Sequence, residues 1–112
     1  MKAQITFDEF LEIQSKLEIK VGLITLAERV PKSYGLKLTV EFGEGDVRTV
    51  FTNLGKTHEP ETLIGLTMPF ITNLAPTTIK GVESQAMIMV GTGTNGQEQV
   101  GLDFIGIGTK LM

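Results

Sequence analysis

The sequence contains no cysteine and no tryptophan, and its single histidine is His58. Without cysteine there is no disulfide and no thiol chemistry, which suits a reducing compartment, so we expect a cytoplasmic protein. Without cysteine there is no Cys-His catalytic pair, and with one histidine there are few residues from which a Ser-His-Asp triad could form. His58 lies beside Glu59 and Glu61 on a polar turn, but metal sites need three or four converging ligands. We therefore expect no enzyme activity, no metal and no cofactor.

Long apolar runs and excess positive charge are missing as well. No run is long enough to span a bilayer, and no signal-peptide-like stretch is visible. The chain has 10 Lys and Arg against 13 Asp and Glu, a net charge of −3. Nucleic-acid binders are normally basic, so the net charge argues against a non-specific one. Eight of the ten cations lie at or before Lys56, which leaves room for a local positive face.

What is present is enough for one domain with one core, since the chain has 112 residues. Residues 1–16 are predicted to carry a short N-terminal helix, because Thr6 and Glu9 have the spacing of a capping box. Residues 17–90 are predicted to form the body of the domain, with apolar and polar positions alternating as in β-strands. The strands are predicted over Leu17–Leu26, Leu36–Phe42, Val47–Asn53, Met68–Thr72 and Met87–Val90.

This pattern describes an all-β domain, a five-stranded Greek-key barrel of the OB-fold type. Gly22 predicts a bulge or sharp bend in the first strand, as a barrel corner needs. Pro60–Gly65 predicts a short helix between the third and fourth strands. Residues 91–112 form a C-terminal extension, in which Asn95–Gly96 predicts a hairpin turn and Glu98–Leu102 a short strand.

The most informative segment runs from Asn73 to Met87 and reads NLAPTTIKGVESQAM. It lies between two apolar strands and is interrupted by proline and glycine, which predicts a surface loop on a rigid base. Gly81 supplies a position for a tight turn or a close approach of the backbone. Loops of this kind are where binding residues tend to lie.

The segment N-L-x-P, four residues, G-V-x-S-x-x-M resembles the signature of the tRNA-binding domain appended to methionyl-tRNA synthetases. The same domain occurs in cytokine-like synthetase cofactors and in small free-standing dimeric tRNA-binding proteins. Three earlier blocks fit in the right order: Lys20-Val21-Gly22, the stretch Thr39–Gly43, and the stretch Glu59–Gly65. The resemblance covers roughly Phe7 to Lys110. It implies an OB-fold that binds tRNA without catalysis; the synthetase signatures H-I-G-H and K-M-S-K-S are absent from this sequence.

An OB-fold binds oligonucleotides on its second and third strands, between the loops that follow the first and fourth strands. Here those loops are Arg29–Gly35 and Leu74–Ser84. The RNA-binding residues are predicted from charge, from aromatic or hydrogen-bonding character, and from the resemblance. They are Lys20, Arg29, Lys32, Tyr34, Lys37, Asn73, Lys80, Ser84 and Met87.

Most of these residues also have a structural interpretation. The lysines equally suit a solvated barrel surface, and Tyr34 would equally cover the barrel rim. Asn73 would equally satisfy backbone groups of the loop, and Met87 would equally fill the core. For Ser84 the resemblance favours a contact with RNA.

Two positions that are basic in the family are Ala75 and Thr78 here. Each missing phosphate contact lowers counterion release, so modest, salt-sensitive affinity is expected. With roughly three phosphate contacts, log affinity should fall against log salt with a slope of about −2 to −3. We expect recognition of the shape of a folded tRNA rather than of a base sequence.

The C-terminal extension is too apolar to trail in water. The resemblance implies that it forms a homodimer together with the N-terminal helix, and the initial Met1 favours a whole protein over a fragment. Two alternatives remain open: a peptide-binding chaperone of the secretion-related branch, and a docking domain for an aminoacyl-tRNA synthetase. The chaperone branch carries a second proline where this chain has Ala75. The residues predicted at the dimer interface are Phe7, Phe10, Leu102, Phe104, Ile105 and Ile107.

Overall fold

The computed structural model describes residues 1–92, 98–99 and 106–111. Within them the helices are α1, Phe7–Ser15, and α2, Pro60–Leu63, with a 3₁₀ turn at Leu54–Lys56. The barrel strands are β1 Ile19–Arg29, β2 Leu36–Glu41, β3 Val47–Thr52, β4 Thr67–Ile71 and β7 Met87–Ile88. The shorter strands are β5 Thr77–Ile79, β6 Val82–Ser84, β8 Gly91–Thr92, β9 Glu98–Gln99 and β10 Lys110–Leu111.

The main sheet has the order β3-β2-β1-β4-β7, with β10 paired to β1. β1 is shared between two antiparallel partners: residues 19–23 pair with β4, and residues 23–29 pair with β2. Because one long strand belongs to both halves, the sheet curls into a nearly closed barrel. The predicted all-β, OB-type barrel with a short N-terminal helix is confirmed.

The irregularity in β1 lies between Ile24 and Leu26, where the register with β2 shifts. The prediction of a bulge at Gly22 is therefore wrong by a few residues. Gly22 serves close packing instead: a Cβ atom there would lie 2.5 Å from Cγ1 of Val40 and 2.7 Å from Cε1 of Phe42. The glycine lets β2 side chains cross the barrel interior above β1.

The core fills the barrel from all five of its strands. The rings of Phe42 and Phe70 meet edge to face, with centroids 5.3 Å apart, a favourable arrangement for aromatic pairs. The largest fully buried side chains are Phe70, Ile24, Leu36, Leu38, Leu54, Leu63, Met68, Val21, Val40 and Val50.

The Asn73–Met87 segment, predicted as a surface loop, contains a short hairpin that was not predicted. Strands β5 and β6 pair antiparallel, with Ile79 opposite Val82. The two residues between them, Lys80 and Gly81, both have positive φ, 49° and 82°. This is the backbone of a type I′ turn, whose twist matches that of the flanking strands.

The same segment closes the barrel against β3 by side-chain as well as backbone hydrogen bonds. The N–H of Phe51 donates to the Ser84 hydroxyl over 3.0 Å. The N–H of Gln85 donates to the Thr49 carbonyl over 2.8 Å, and the Thr49 N–H donates to Oε1 of Gln85 over 2.9 Å. Ser84 and Gln85 thus join the open edge of β3 to the rest of the sheet.

The capping box of α1 is confirmed. The Glu9 N–H donates to the Thr6 hydroxyl and the Thr6 N–H donates to the Glu9 carboxylate, both over 3.1 Å. No residue of α1 is buried, so this helix adds nothing to the barrel core. None of the helices in the described part of the chain combines the length and apolarity that crossing a membrane requires.

In the C-terminal extension β8 and β9 pair antiparallel. Glu98–Gln99 confirms part of the predicted strand. The Asn95–Gly96 turn lies outside the described residues, as do the predicted interface residues Leu102, Phe104 and Ile105.

Candidate nucleic-acid interface

The two predicted binding loops meet at the ring of Phe51, on the outer side of β3. At Gly35, which ends the first loop, a Cβ atom would lie 2.4 Å from Cε2 of this ring. Glycine is therefore needed for the loop to pack so closely. The same ring lines a groove with Leu74 and Ile79 of the second loop. Two stretches about forty residues apart in sequence thus share one neighbour in space.

One concavity of about 260 Å³ brings part of the predicted site together. Lys37 lines it from β2, and Gly81 lines it from the hairpin turn that also carries Lys80. Within the described residues, neither Lys37 nor Lys80 forms an ion pair. We call this surface the hairpin face; its lining residues are Lys37, Thr49, Gly81, Val82, Glu83 and Gln85.

The first loop carries one cation that has an acidic partner and one that is exposed. Arg29 forms an ion pair with Glu59 over 2.8 Å. Tyr34 is 62 % exposed, and the Lys56 ammonium lies 5.9 Å from the centroid of its ring, within range of a cation–π contact. Lys32 is exposed at the tip of the loop, with φ of 62°.

Lys56 was not among the residues predicted from the sequence. The position of Lys56 can be deduced from the register of the β2–β3 hairpin, in which Leu36 pairs with Thr52. Continuing that antiparallel register places residues 54–56 opposite residues 32–34. The hairpin alone therefore brings Lys56 to the first loop, once its register is known.

Asn73 has a structural role. Its side-chain carbonyl accepts from the Glu18 N–H over 2.8 Å, and its amide donates to the Lys16 carbonyl over 2.6 Å. It joins the end of β4 to the chain between α1 and β1. Its RNA contact stays a prediction, with one amide hydrogen not used by these bonds.

Ser84 is buried and also has two protein partners. Besides accepting from Phe51, its hydroxyl donates to the Ala86 carbonyl over 3.1 Å. These bonds assign Ser84 to barrel closure, and its predicted RNA contact is untested. Met87, in contrast, is 53 % exposed, so it is not core filler.

Lys20 lies away from the hairpin face. Lys20 and Arg29 are nine positions apart on β1, about 30 Å of extended strand. Its ammonium pairs with the Glu18 carboxylate over 3.7 Å. We call this second concavity, of about 340 Å³, the Lys20 end; it is lined by Lys20, Phe42, Gly43, Glu44, Asp46, Ile107 and Gly108.

The charge of the Lys20 end is balanced by acids. The Thr72 hydroxyl donates to Glu18 over 2.7 Å. This hydrogen bond, and to a lesser extent the charges of Lys20 and Lys110, hold the pKa of Glu18 below its ordinary value of 4.5. An ionised carboxylate therefore stays beside Lys20 at neutral pH.

His58 lies beside Thr57, with 2.8 Å between Nδ1 and the hydroxyl. In residues 1–92, 98–99 and 106–111 no three His or acidic side chains converge as metal ligands. The hairpin face presents Lys37 and Glu83, the backbone of the tight turn that carries Lys80, and a neighbouring apolar groove.

Comparisons with known proteins concern the family and the fold of the chain. The model of the putative tRNA-binding domain family matches residues 19–105. A methionine–tRNA ligase of Methanococcoides burtonii is 47 % identical over 91 residues, which is 80 % of this chain but 13 % of the ligase. The chain thus spans about an eighth of the length of the curated relatives it matches.

Two solved structures match over nearly the full chain. The MetRS-related protein of Pyrococcus horikoshii is 29 % identical with a TM-score of 0.83, covering 99 % of this chain and 100 % of its own. The chaperone CsaA of Bacillus anthracis is 26 % identical with a TM-score of 0.78, covering 98 % and 100 %. The chain is similar to both a synthetase-related protein and a chaperone.

Proposed function

The chain belongs to the putative tRNA-binding domain family, and from this premise we propose that it binds folded tRNA by shape, without catalysis, through the hairpin face. One observation carries the proposal: Lys37 and the Lys80–Gly81 turn lie at one concavity, and neither lysine has an ion pair among the described residues. Free ammonium groups are available to phosphates, whereas paired ones must first give up a partner.

The number of available cations determines how strongly tRNA is expected to bind. Lys32 and Lys56 lie at the first loop, next to Tyr34, and would extend the contact along the RNA backbone. Lys20 and Arg29 are held by carboxylates and contribute less. Lys32, Lys37 and Lys80 have neither an ion pair nor a ring contact among the described residues, so roughly three phosphate contacts remain, for a salt slope of about −2 to −3.

Filter binding with unfractionated tRNA tests this function. The full chain should bind tRNA at low salt and release it steeply between 50 and 200 mM salt, at about the slope above. A random single-stranded RNA of equal length is the control, and it should bind more weakly because it lacks the folded shape. Equal affinity for both RNAs would contradict shape recognition.

The partner that fits this module is a methionyl-tRNA synthetase. The chain resembles about an eighth of a methionine–tRNA ligase, so it would hold tRNA for chemistry performed on another domain or chain. Addition of the protein should lower the KM for tRNA of a methionyl-tRNA synthetase and leave its KM for methionine unchanged. A module of this kind works where its synthetase does, in the cytoplasm.

The second candidate is a peptide-binding chaperone, favoured by the similarity to the CsaA structure. The absence of a second proline beside Pro76 argues for tRNA instead. Binding of a permanently unfolded, reduced client protein, measured beside tRNA binding at equal salt, separates the two. Binding of the client protein without binding of tRNA would favour the chaperone function over tRNA binding.

We further propose a homodimer, formed by α1 and the C-terminal extension, residues 91–112. Phe7 is 71 % exposed and Ile107 is 41 % exposed in the single chain. The Phe7 and Phe10 rings lie 6.2 Å apart on α1, and a second copy would cover them. Sedimentation at micromolar concentration should give twice the chain mass, and Phe7→Ser with Phe10→Ser should give one chain mass.

A further inference from the structure

An apolar groove of about 200 Å³ runs beside the β5–β6 hairpin. Phe51 lies at its base and is nearly buried, whereas Leu74, Ile79 and Met87 line it and are 45 %, 37 % and 53 % exposed. These three side chains are not part of the barrel core, because large fractions of their surfaces are exposed. Clustered exposed apolar side chains commonly mark a binding surface.

Positive charge lies next to this groove. Lys37 is directly opposite Phe51 in the β2–β3 pair, so the two side chains project to the same face a few ångströms apart. Lys80 follows Ile79 at the hairpin turn. Within the described chain both ammonium groups lack an ion pair. Lys37 and Lys80 each neighbour a residue that lines the apolar groove, and this arrangement matches a planar apolar group that carries phosphates.

The size and the remaining lining residues narrow the ligand. At about 200 Å³ the groove is smaller than a typical small-molecule pocket of roughly 300–1,000 Å³. It has room for one side group of a larger ligand. Thr77 is among the lining residues, and its hydroxyl would offer a hydrogen bond to a polar edge.

On this basis we propose that the groove accepts one unpaired nucleobase of the RNA bound at the hairpin face. The inference rests on the RNA-binding function proposed above and adds which part of the RNA enters the protein. A base in a duplex is stacked on both faces, so only an unpaired base of a loop, bulge or end qualifies. An apolar peptide side chain would fill the groove but would leave both cations without a partner.

The test uses the full chain and two changes that alter the groove without removing charge, Ile79→Thr and Met87→Gln, combined. Val47→Thr is the matched control, since Val47 is an exposed β-branched residue of β3 that is not among the groove's lining residues. The probes are unfractionated tRNA and a fully paired RNA duplex of similar length. Melting temperatures establish that all variants are folded.

We expect the groove variant to lose about tenfold in affinity for tRNA, the scale of one stacked base. Its salt slope should stay that of the unchanged chain, because no phosphate contact is lost. The duplex should bind all three proteins within about twofold. In chemical probing, the unchanged chain should protect an unpaired base that the groove variant leaves reactive, while backbone protection persists in both.

Three results overturn the inference, and they are distinguishable. If the unchanged chain fails to bind tRNA, the proposed function falls and this inference with it. If the chain binds tRNA and the groove variant binds equally well, the function stands and the groove is not part of the site. If the groove variant loses an unfolded client protein but keeps tRNA, the groove is a peptide site.

Discussion

The hairpin face and the Lys20 end are two concavities of similar size that each contain a predicted RNA-binding lysine. They differ in what surrounds the charge. Lys37 and Lys80 have no ion pair within the described residues, although Glu83 lines the hairpin face, whereas Lys20 pairs with Glu18 in a concavity also lined by Glu44 and Asp46. A lysine is thus available to RNA at the hairpin face, whereas a lysine at the Lys20 end is neutralised by an acidic partner.

This difference explains how an acidic chain can still bind a polyanion. Repulsion from 13 carboxylates is screened beyond about a Debye length, roughly 8 to 10 Å. Binding then depends on the local potential where the RNA docks; the carboxylates at the Lys20 end contribute little to it, whereas Glu83 at the hairpin face opposes the lysines there. The net charge describes the whole chain and not the docking surface.

The largest expected effect comes from removing both free cations of the hairpin face. Lys37→Gln combined with Lys80→Asn should weaken tRNA binding roughly 100-fold, taking about 1.5 kcal/mol for each charge-assisted contact. The slope of log affinity against log salt should become shallower by about 1.8. Filter binding over a salt series measures both quantities.

Lys20→Gln is the matched control for that pair, because it removes one lysine that already has an acidic partner. We expect its affinity to change by less than about twofold. A loss from Lys20→Gln as large as that from the double variant would show that the Lys20 end docks RNA too. The contrast between the two concavities would then be wrong.

The next effect concerns the closure of the barrel beneath the hairpin face. Ser84→Ala leaves the buried N–H of Phe51 without its hydroxyl acceptor. The free energy of unfolding should fall by about 2 kcal/mol, because an unsatisfied buried donor keeps its desolvation cost. Thermal unfolding should show this as a drop of about 10 °C in Tm.

Thr78→Ala is the control in the same hairpin, at an exposed hydroxyl, and should change the free energy of unfolding by under about 0.5 kcal/mol. If Ser84→Ala keeps full stability and instead loses tRNA affinity, the hydroxyl contacts RNA directly. That result would restore the role that the family resemblance assigns to Ser84.

A smaller, pH-dependent effect belongs to the Lys20 end. The pKa of Glu18 is lowered in the fold, first by the hydrogen bond from Thr72 and then by Lys20 and Lys110. A carboxylate with a lowered pKa stabilises the fold above its ordinary value of 4.5, and this contribution is lost as pH falls through the folded value. Glu18→Gln should therefore lower the urea midpoint at about pH 7 and lower it less at about pH 3.

Thr72→Val removes the first cause of that shift and should reproduce the loss of pH dependence, although it also removes a buried hydroxyl. Equal differences in urea midpoint between Glu18→Gln and the unchanged chain at both pH values would contradict the expectation that the ionised form of Glu18 stabilises the fold. The carboxylate would then act through shape rather than through charge.

The sequence predicts those parts of the fold that depend on near neighbours. Alternation of apolar residues predicts β2 and β3 to within about a residue, and the spacing of Thr6 and Glu9 predicts the capping box. The β5–β6 hairpin was missed because its strands are three residues long, and all of β5 is exposed. Its turn also lacks the usual Asn-Gly pair.

The candidate site is less predictable, because its residues are defined by distant partners. The Ser84 hydroxyl meets the N–H of Phe51, 33 positions away, and Asn73 meets the N–H of Glu18, 55 positions away. Nothing in either local sequence distinguishes these bonds from a contact with RNA. Lys20 and Lys37 likewise look alike in sequence, and only the acids near each one separate them.

The smallest expected effect tests whether Lys80 is there for the turn or for its charge. Lys80 has φ of 49° at the first position of a type I′ turn, where asparagine is favoured. Lys80→Asn should leave the free energy of unfolding unchanged or raise it by a few tenths of a kcal/mol, whereas Lys80→Val should lower it by about 1–2 kcal/mol. Urea unfolding measures both. If Lys80→Asn lowers the free energy of unfolding by more than about 1 kcal/mol, the ammonium stabilises the fold. If it does not, asparagine forms the turn at least as well as lysine, and the contribution of Lys80 is its charge.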